Sequence, residues 1–395
     1  MKYLVLGAAG MQGKAVIYDL CRSPEAREIV CADVRPEQLL PFGKFLDFGK
    51  IRLTKLDASN KADLVELMRD QVDVVIDLLP ISFIGVVSEA AVEAGVSVVN
   101  TFYASALPEG IHEKAAAQNM IIMPEAGLDP GIDLILCGYG VGKLDHVYEL
   151  HSYCGGLPEP SAIDNPLKYK LTWIWDGVLL SHKRPGKIMK NGVVIDIPAA
   201  DQHAPQWVET LNFPGIDAEL EMIVNGDAMV FADILGISAT LRHTSRRYIR
   251  WNGHAQLWHA LKQLQFLSDE PVAGLSPSLT PHAFMRAHLE PQLHYKEEEK
   301  DIVLMRNTIA GVKDNEDIQI TFDLVDYRDT RTGLFAMNRT VGFTASIIAQ
   351  MIARGDIRGS GLMRTTKDVP YLSFIEELHK RDIVIQERIQ PIVSL

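Results

Sequence analysis

Tyr3-Leu4-Val5-Leu6-Gly7-Ala8-Ala9-Gly10-Met11-Gln12-Gly13 is the stretch that decides the fold. Four consecutive apolar residues, Tyr3 to Leu6, read as a buried strand, and Gly13 to Cys21 reads as a helix. The GxxGxxG loop between them gives each glycine a task. Gly7 allows a tight turn, Gly10 lets backbone N–H groups approach a pyrophosphate, and Gly13 permits close helix–strand packing, while the positive end of the helix favours the anion. Met11 and Gln12 lie within this loop and join the glycines as expected cofactor contacts.

Outward from this loop the chain keeps alternating. Glu28 to Ala32 and Ile51 to Lys55 read as strands, and Ser59 or Asn60 is placed to cap a helix over Lys61 to Met68. Val72 to Leu79 is a near-continuous apolar strand, followed by a helix from Ile84 to Ala94 closed by Gly95 and a strand from Val96 to Asn100. A helix from Pro108 to Gln118 and a strand from Met120 to Met123 complete the series. Two-sided apolar strands alternating with helices predict an α/β, doubly wound parallel Rossmann sheet over residues 1–125.

The second strand ends at Asp33, about twenty residues past Gly13. A carboxylate there accepts both ribose hydroxyls of NAD and repels the 2′-phosphate of NADP, so NAD is the expected cofactor and NADP the less favoured one. Arg35, two residues on, complicates this because a guanidinium pairs with phosphate. Asp57 ends the third strand, where it either approaches the adenine or starts the following helix. Leu79-Pro80 ends the fourth, where this fold brings the chain past the cofactor.

From about residue 126 the rhythm changes, and all five tryptophans fall beyond that point. A second, α+β substrate domain with a mixed sheet is expected over residues 126–340. Its sheet should draw on Val147 to Tyr153, Lys187 to Ile197, Ile302 to Val312 and Asp317 to Asp326. Residues 341–395, with helical patterns over Gly342 to Ala353 and Tyr371 to Lys380, are expected to form a C-terminal helical segment returning to the first domain.

Composition removes several function classes. The 395 residues are 47% hydrophobic and 23% charged, which is ordinary for globular domains and excludes wholesale disorder. A formal charge of −12 disfavours nucleic acid and anionic lipid over most of the surface. Cys21, Cys31, Cys137 and Cys154 lack CxxC or Cys/His ligand spacing, and His243, His254 and His259 lack a metal motif, so no metal is expected. The apolar run after Lys2 is short and broken by Gly7 and Gly10, unlike a secretory signal, and no apolar stretch reaches the roughly 18 residues of a membrane span. A soluble, cytoplasmic protein is expected.

Four longer motifs stand out: Asn100-Thr101-Phe102-Tyr103, Glu125 to Asp133, Ser152-Tyr153-Cys154-Gly155-Gly156-Leu157-Pro158, and Asp164-Asn165-Pro166-Leu167-Lys168-Tyr169-Lys170 with Trp173 and Gly177-Val178-Leu179 beyond. They resemble those of the saccharopine dehydrogenase (glutamate-forming), or saccharopine reductase, family. The likeness continues through Arg250-Trp251-Asn252-Gly253-His254 and Ala336 to Gly342, and lysine 6-dehydrogenase-like members share parts of it.

The resemblance implies a nucleotide-binding domain joined to a substrate domain, with hydride moving between a nicotinamide and the carbon of a C–N bond. It places Asp129 and Cys154 at the reaction site, where a carboxyl can shuttle a proton. Asp-Pro-Gly is also an ordinary turn sequence, and an isolated cysteine is also a packing residue. Thr101 falls on the cofactor side, and Tyr103, Tyr169, Trp173 and Arg250 on the substrate side, with Arg250 suited to a carboxylate. Lys168 departs from the family, which usually has glycine there, and so does Asp33.

The expected function is NAD(P)-dependent oxidoreduction at the C–N bond of an amino acid or opine-like secondary amine, through an imine, by a homodimer. Three rivals remain. They are lysine 6-dehydrogenase-like oxidative deamination, a homospermidine-synthase-like transferase that returns its hydride, and an NAD-binding sensor without chemistry.

Overall fold

The computed structural model describes residues 1–276 and 279–392, and the chain divides into two compact units. Unit one holds Met1–Tyr139 and Asn338–Val384; unit two holds Gly140–Met337 and the strand Ile385–Pro391.

Unit one is built on a parallel sheet. Its strands are β1 (Lys2–Leu6), β2 (Glu28–Asp33), β3 (Ile51–Lys55), β4 (Val74–Asp77), β5 (Ser97–Asn100) and β6 (Ile121–Met123), with β15 (Gly361–Leu362) beside β6. The spatial order β15-β6-β5-β4-β1-β2-β3 reverses direction between β1 and β4, the switch point at which doubly wound sheets bind ligands. Tyr3 to Leu6 are fully buried, as two-sided strands require. Between the strands run α1 (Met11–Arg22), α2 (Lys61–Arg69), α3 (Ile84–Ala94) and α4 (Ile111–Ala117). Asn60 caps α2 by accepting from the Ala62 amide, and Gly95 closes α3 at φ 70°. The core on one face joins Leu4, Leu6, Val30, Leu64, Val75, Val98 and Ile122.

Unit two is a mixed nine-stranded sheet. Its long central strands are β7 (His146–Pro158), β12 (His243–Trp251), β13 (Asp301–Lys313) and β14 (Glu316–Tyr327); β12 runs parallel to β7, and β13 antiparallel to it. Outside them lie β8 (Gly186–Lys190), β9 (Val193–Ile197), β10 (Glu209–Asn212), β11 (Glu219–Val224) and β16 (Ile385–Pro391). The helices α6 (Trp175–Ser181), α7 (Ala228–Leu235), α8 (His254–Gln263) and α9 (Pro281–Leu289) accompany the sheet. Two further helices, α5 (Ile132–Gly142) and α10 (Ala336–Arg354), cross the unit boundary, and α11 (Thr365–Asp368) and α12 (Tyr371–His379) belong to unit one.

The expected boundaries need correction at both ends. Unit one extends past residue 125 because the Glu125 and Ala126 amides donate to the carbonyls of Phe102 and Asn100, and Tyr139 stacks on Tyr371 at 3.5 Å. The C-terminal segment 341–395 is not wholly helical: its last strand, β16, pairs antiparallel with β14 in the second sheet. Lys187 to Ile197 joins the second sheet as a hairpin, since Asn191 and Gly192 both adopt positive φ and reverse the chain.

Candidate active site

The glycine loop leaves β1 and enters α1 as a close-packed turn. Gly7 has φ 73°, and a Cβ there would meet the Leu78 carbonyl oxygen at 3.0 Å. At Gly13 a Cβ would come within 2.4 Å of the Gly7 carbonyl oxygen, so only glycine lets α1 pack this near β1. Gly10 is the N-cap of α1, and no side chain caps the first-turn N–H groups of the helix. Met11 is exposed, and Gln12 Oε1 is buried without a partner. These features fit a dinucleotide phosphate.

Asp33 ends β2 with both carboxylate oxygens engaged by backbone: Oδ2 accepts from the Ala9 amide at 3.1 Å and Oδ1 from the Arg35 amide at 3.0 Å. The acid is thereby tied to the glycine loop. Asp57 takes the turn role instead. Its Oδ1 accepts from both the amide and the hydroxyl of Ser59, bonds that lower its pKa, at an exposed position before α2. Leu79 follows the buried Asp77, whose Oδ1 accepts from the Leu79 amide; Pro80 is exposed beyond it. Burial raises the Asp77 pKa to about 7.

After β5 and β6 two loops of unit one come together. Tyr103 donates its hydroxyl to Asp129 Oδ1 at 3.2 Å, and Thr101 lies beside Gly127. Asp129 is not the residue that starts α5. Asp133 Oδ1 accepts from the Gly131 amide at 2.7 Å, which leaves Asp129 half-buried in the loop before it. Glu125, missed by the sequence reading, is buried at φ 61° and accepts from the Ala104 amide.

Unit two gathers Cys154, Tyr169 and Arg250. Cys154 lies within β7, opposite Tyr248 on β12 and Met305 on β13. A Cβ at Gly155 would strike the Ile249 carbonyl oxygen at 2.3 Å, so this glycine lets the two central strands approach. Arg250 is two residues beyond Tyr248 and hence on the same face of β12. Its guanidinium lies 4.7 Å from the Tyr248 ring centre and 5.1 Å from that of Tyr169. Arg250 is only 7% exposed and Nη1 donates to the Ile249 carbonyl, yet no carboxylate among the described residues pairs with it. Trp173 is about one third exposed and rests over Gly177.

The lysines flanking Tyr169 are both engaged within unit two. Lys170 is buried between Asp164 and Glu299, at 2.8 and 2.7 Å, and Lys168 donates to the Asn252 carbonyl at 2.7 Å. Lys168 has φ 48°, which explains why glycine suits this position. Sequence reasoning also missed His182 and His203, which meet His254 around Trp258. Nothing local marks them, since the three histidines come from separate segments.

Two family models divide the chain between them. Residues 3–123 match the saccharopine dehydrogenase NADP binding domain, and residues 127–384 match the saccharopine dehydrogenase C-terminal domain. The chain belongs to the saccharopine dehydrogenase family. It is 28% identical to the mitochondrial α-aminoadipic semialdehyde synthase of Mus musculus over 97% of this chain and 47% of that protein. The chain thus spans about half the length of such relatives. It is 26% identical to the Saccharomyces cerevisiae saccharopine dehydrogenase [NADP(+), L-glutamate-forming], over 78% of this chain and 82% of that one.

Solved structures agree on the fold. The apo saccharopine dehydrogenase (L-Glu forming) of Saccharomyces cerevisiae superposes with a TM-score of 0.86 at 23% identity, covering 98% of this chain and 99% of that chain. A homospermidine synthase from Legionella pneumophila in complex with NAD gives 0.62 at 10% identity, covering 98% and 91%. The family's nucleotide-binding domain is thus unit one's sheet with its glycine loop, and its cofactor class is a nicotinamide dinucleotide. Among the described residues no helix is long and apolar enough to cross a membrane.

Proposed function

We propose that this protein is a nicotinamide-dependent oxidoreductase of the saccharopine dehydrogenase type, acting on the C–N bond of an amino acid or its secondary-amine adduct. Arg250 carries the reading: a buried guanidinium without a carboxylate partner suits the carboxylate of such a substrate. A bound nicotinamide supplies or accepts the hydride. Gly7, Gly10, Met11, Gln12, Gly13, Leu79, Pro80 and Thr101 would hold the cofactor, and Asp33 would take its ribose hydroxyls.

NAD is the preferred form in this reading because Asp33 opposes a 2′-phosphate. The NADP in the family model's description and in the yeast relative's name pulls the other way, so cofactor choice is part of the test. Asp129, positioned by Tyr103, moves a proton to or from the amine, and Cys154, Tyr169 and Trp173 line the substrate. A homodimer in a reducing compartment such as the cytoplasm completes the proposal; no disulfide joins the four buried cysteines.

The experiment is a turnover screen. The chain is mixed with NADH or NADPH and pairs of amino acids with 2-oxo acids or aldehydes, and in reverse with NAD or NADP and saccharopine or lysine. Cofactor-linked absorbance change with one pair supports the reading. Product formation without net cofactor change indicates the transferase, and cofactor binding without turnover across the panel indicates the sensor.

A further inference from the structure

One end of the mixed sheet in unit two carries a cavity of about 150 Å³ on the face opposite Arg250. Trp251 follows Arg250 on β12, so strand alternation turns its side chain to the other side of the sheet. It lines the cavity with Ile302 of β13, whose register partner on β14 is Tyr327. Residues paired across strands share a face, so Ile302 and Tyr327 stand together. The indole is fixed, because its Nε1 donates to the Pro158 carbonyl at 2.9 Å. The ring, not the N–H, is what remains for a guest.

A turn brings further lining residues into place. In Phe213-Pro214-Gly215-Ile216 the Ile216 amide donates to the Phe213 carbonyl at 3.0 Å, and Gly215 at φ 79° supplies the left-handed residue that a Pro-Gly turn needs. Phe213 is buried in one cluster with Trp251 and Ile302, which anchors the turn so that Ile216 and Asp217 line the cavity. Glu159 joins them where β7 ends, its amide donating to the Lys300 carbonyl at 2.9 Å. Both acids lack a cation. Glu159 Oε2 accepts from the Ser161 hydroxyl at 3.3 Å, and among the described residues no Lys, Arg or His pairs with Glu159 or Asp217. Burial and then the Glu159 carboxylate raise the Tyr327 pKa, which puts that charge near the phenol.

We propose that this cavity binds a small organic ammonium ion, its methyl or methylene groups against Trp251, Ile302 and Ile216 and its charge toward Glu159, Asp217 and the Tyr327 ring. The class follows from the lining. Indole and phenol faces attract a cation, and two unpaired carboxylates reject an anion and give a neutral guest no charge to meet. A cavity of this size admits a benzene-sized guest, comparable to a trimethylammonium head or a short alkylammonium. Two carboxylates over an apolar floor are too few oxygens for a metal ion, and no metal-holding group of His, Cys, Asp or Glu occurs among the described residues. The site lies on the other side of the sheet from Arg250 and Cys154, and it does not depend on the oxidoreductase reading.

Calorimetric titration of the full chain at low ionic strength tests this, with choline, n-butylammonium and the neutral choline isostere 3,3-dimethylbutan-1-ol as probes. At least one of the two cations is expected to bind ~10-fold or more tightly than the alcohol, and the tighter one names the head group as methylated or primary. Glu159→Gln and Asp217→Asn should each weaken that cation several-fold and leave the alcohol unchanged. Tyr327→Leu, which keeps an apolar contact and loses the π face, should weaken the cation as well. All three side chains reach solvent, so these substitutions leave the core intact. No saturable cation binding, alcohol binding equal to that of both cations, or undiminished cation binding in the Glu159→Gln, Asp217→Asn double variant overturns the proposal. The titration uses neither cofactor nor turnover, so a failed turnover screen leaves its outcome standing.

Discussion

Tyr103 and Asp129 are joined by a 3.2 Å hydrogen bond that links the loop after β5 to the loop before α5. The phenol donates, so it orients the carboxylate while leaving its second oxygen to other partners. A proton-shuttling role for Asp129 makes a clear forecast. Asp129→Asn should lower kcat by ~10²-fold or more while cofactor dissociation constants stay near the parent values. Tyr103→Phe should cost less, because it removes an orienting bond and leaves the carboxyl in place. Near-normal turnover of Asp129→Asn would return this residue to an ordinary turn position.

The carboxylate of Asp33 is held by the Ala9 and Arg35 amides, so its charge is fixed at the end of β2. Asp33→Arg should shift the ratio of NADPH to NADH affinity by at least ~10-fold toward NADPH, through lost repulsion and a new guanidinium for the 2′-phosphate. Fluorescence titration of both reduced cofactors measures it. An unchanged ratio removes Asp33 from the ribose site.

How far the sequence could be read depended on whether a feature was local. The Gly7 to Gly13 loop and the strand Ile51–Lys55 were legible because turn, period and burial are all written within a few residues. The Asn191-Gly192 reversal is equally local, a hairpin signal inside the Lys187 to Ile197 segment. Arg250 was legible only through family resemblance; that it lacks a carboxylate is a tertiary fact. His182 and Tyr248 are 66 residues apart and meet through the fold, so no spacing rule would have paired them. The final strand was missed because Ile385–Pro391 is mostly exposed and lacks a clean alternation.

Lys168 at φ 48° carries a side chain in a left-handed conformation that favours glycine. Lys168→Gly should relieve about 1 kcal/mol of backbone strain. It also removes the ammonium's bond to the Asn252 carbonyl, worth about the same at a partly exposed position. The two changes nearly cancel, so the urea midpoint should move little. Lys168→Met keeps the strain and loses the bond, and should therefore be the less stable of the two. The reverse order would show that the left-handed conformation costs this chain nothing.

Asp77 gives a pH-dependent forecast. It is fully buried at the end of β4, and burial raises its pKa from the ordinary carboxylate value of 3.8 to about 7. The folded state thus binds the Asp77 proton more tightly than the unfolded chain does. Its contribution to stability is complete below pH 3.8 and is lost as pH rises to about 7, where the buried carboxyl must ionise. Asp77→Asn keeps an oxygen to accept from the Leu79 amide and cannot ionise. Relative to the parent, this variant should gain stability steadily between those two pH values and hold a constant advantage above them, on the order of a few kcal/mol. Thermal melts of both proteins from pH 4 to 9 read the difference directly. A Tm difference independent of pH would mean that Asp77 is already ionised at low pH, and burial would then not be the force acting on it.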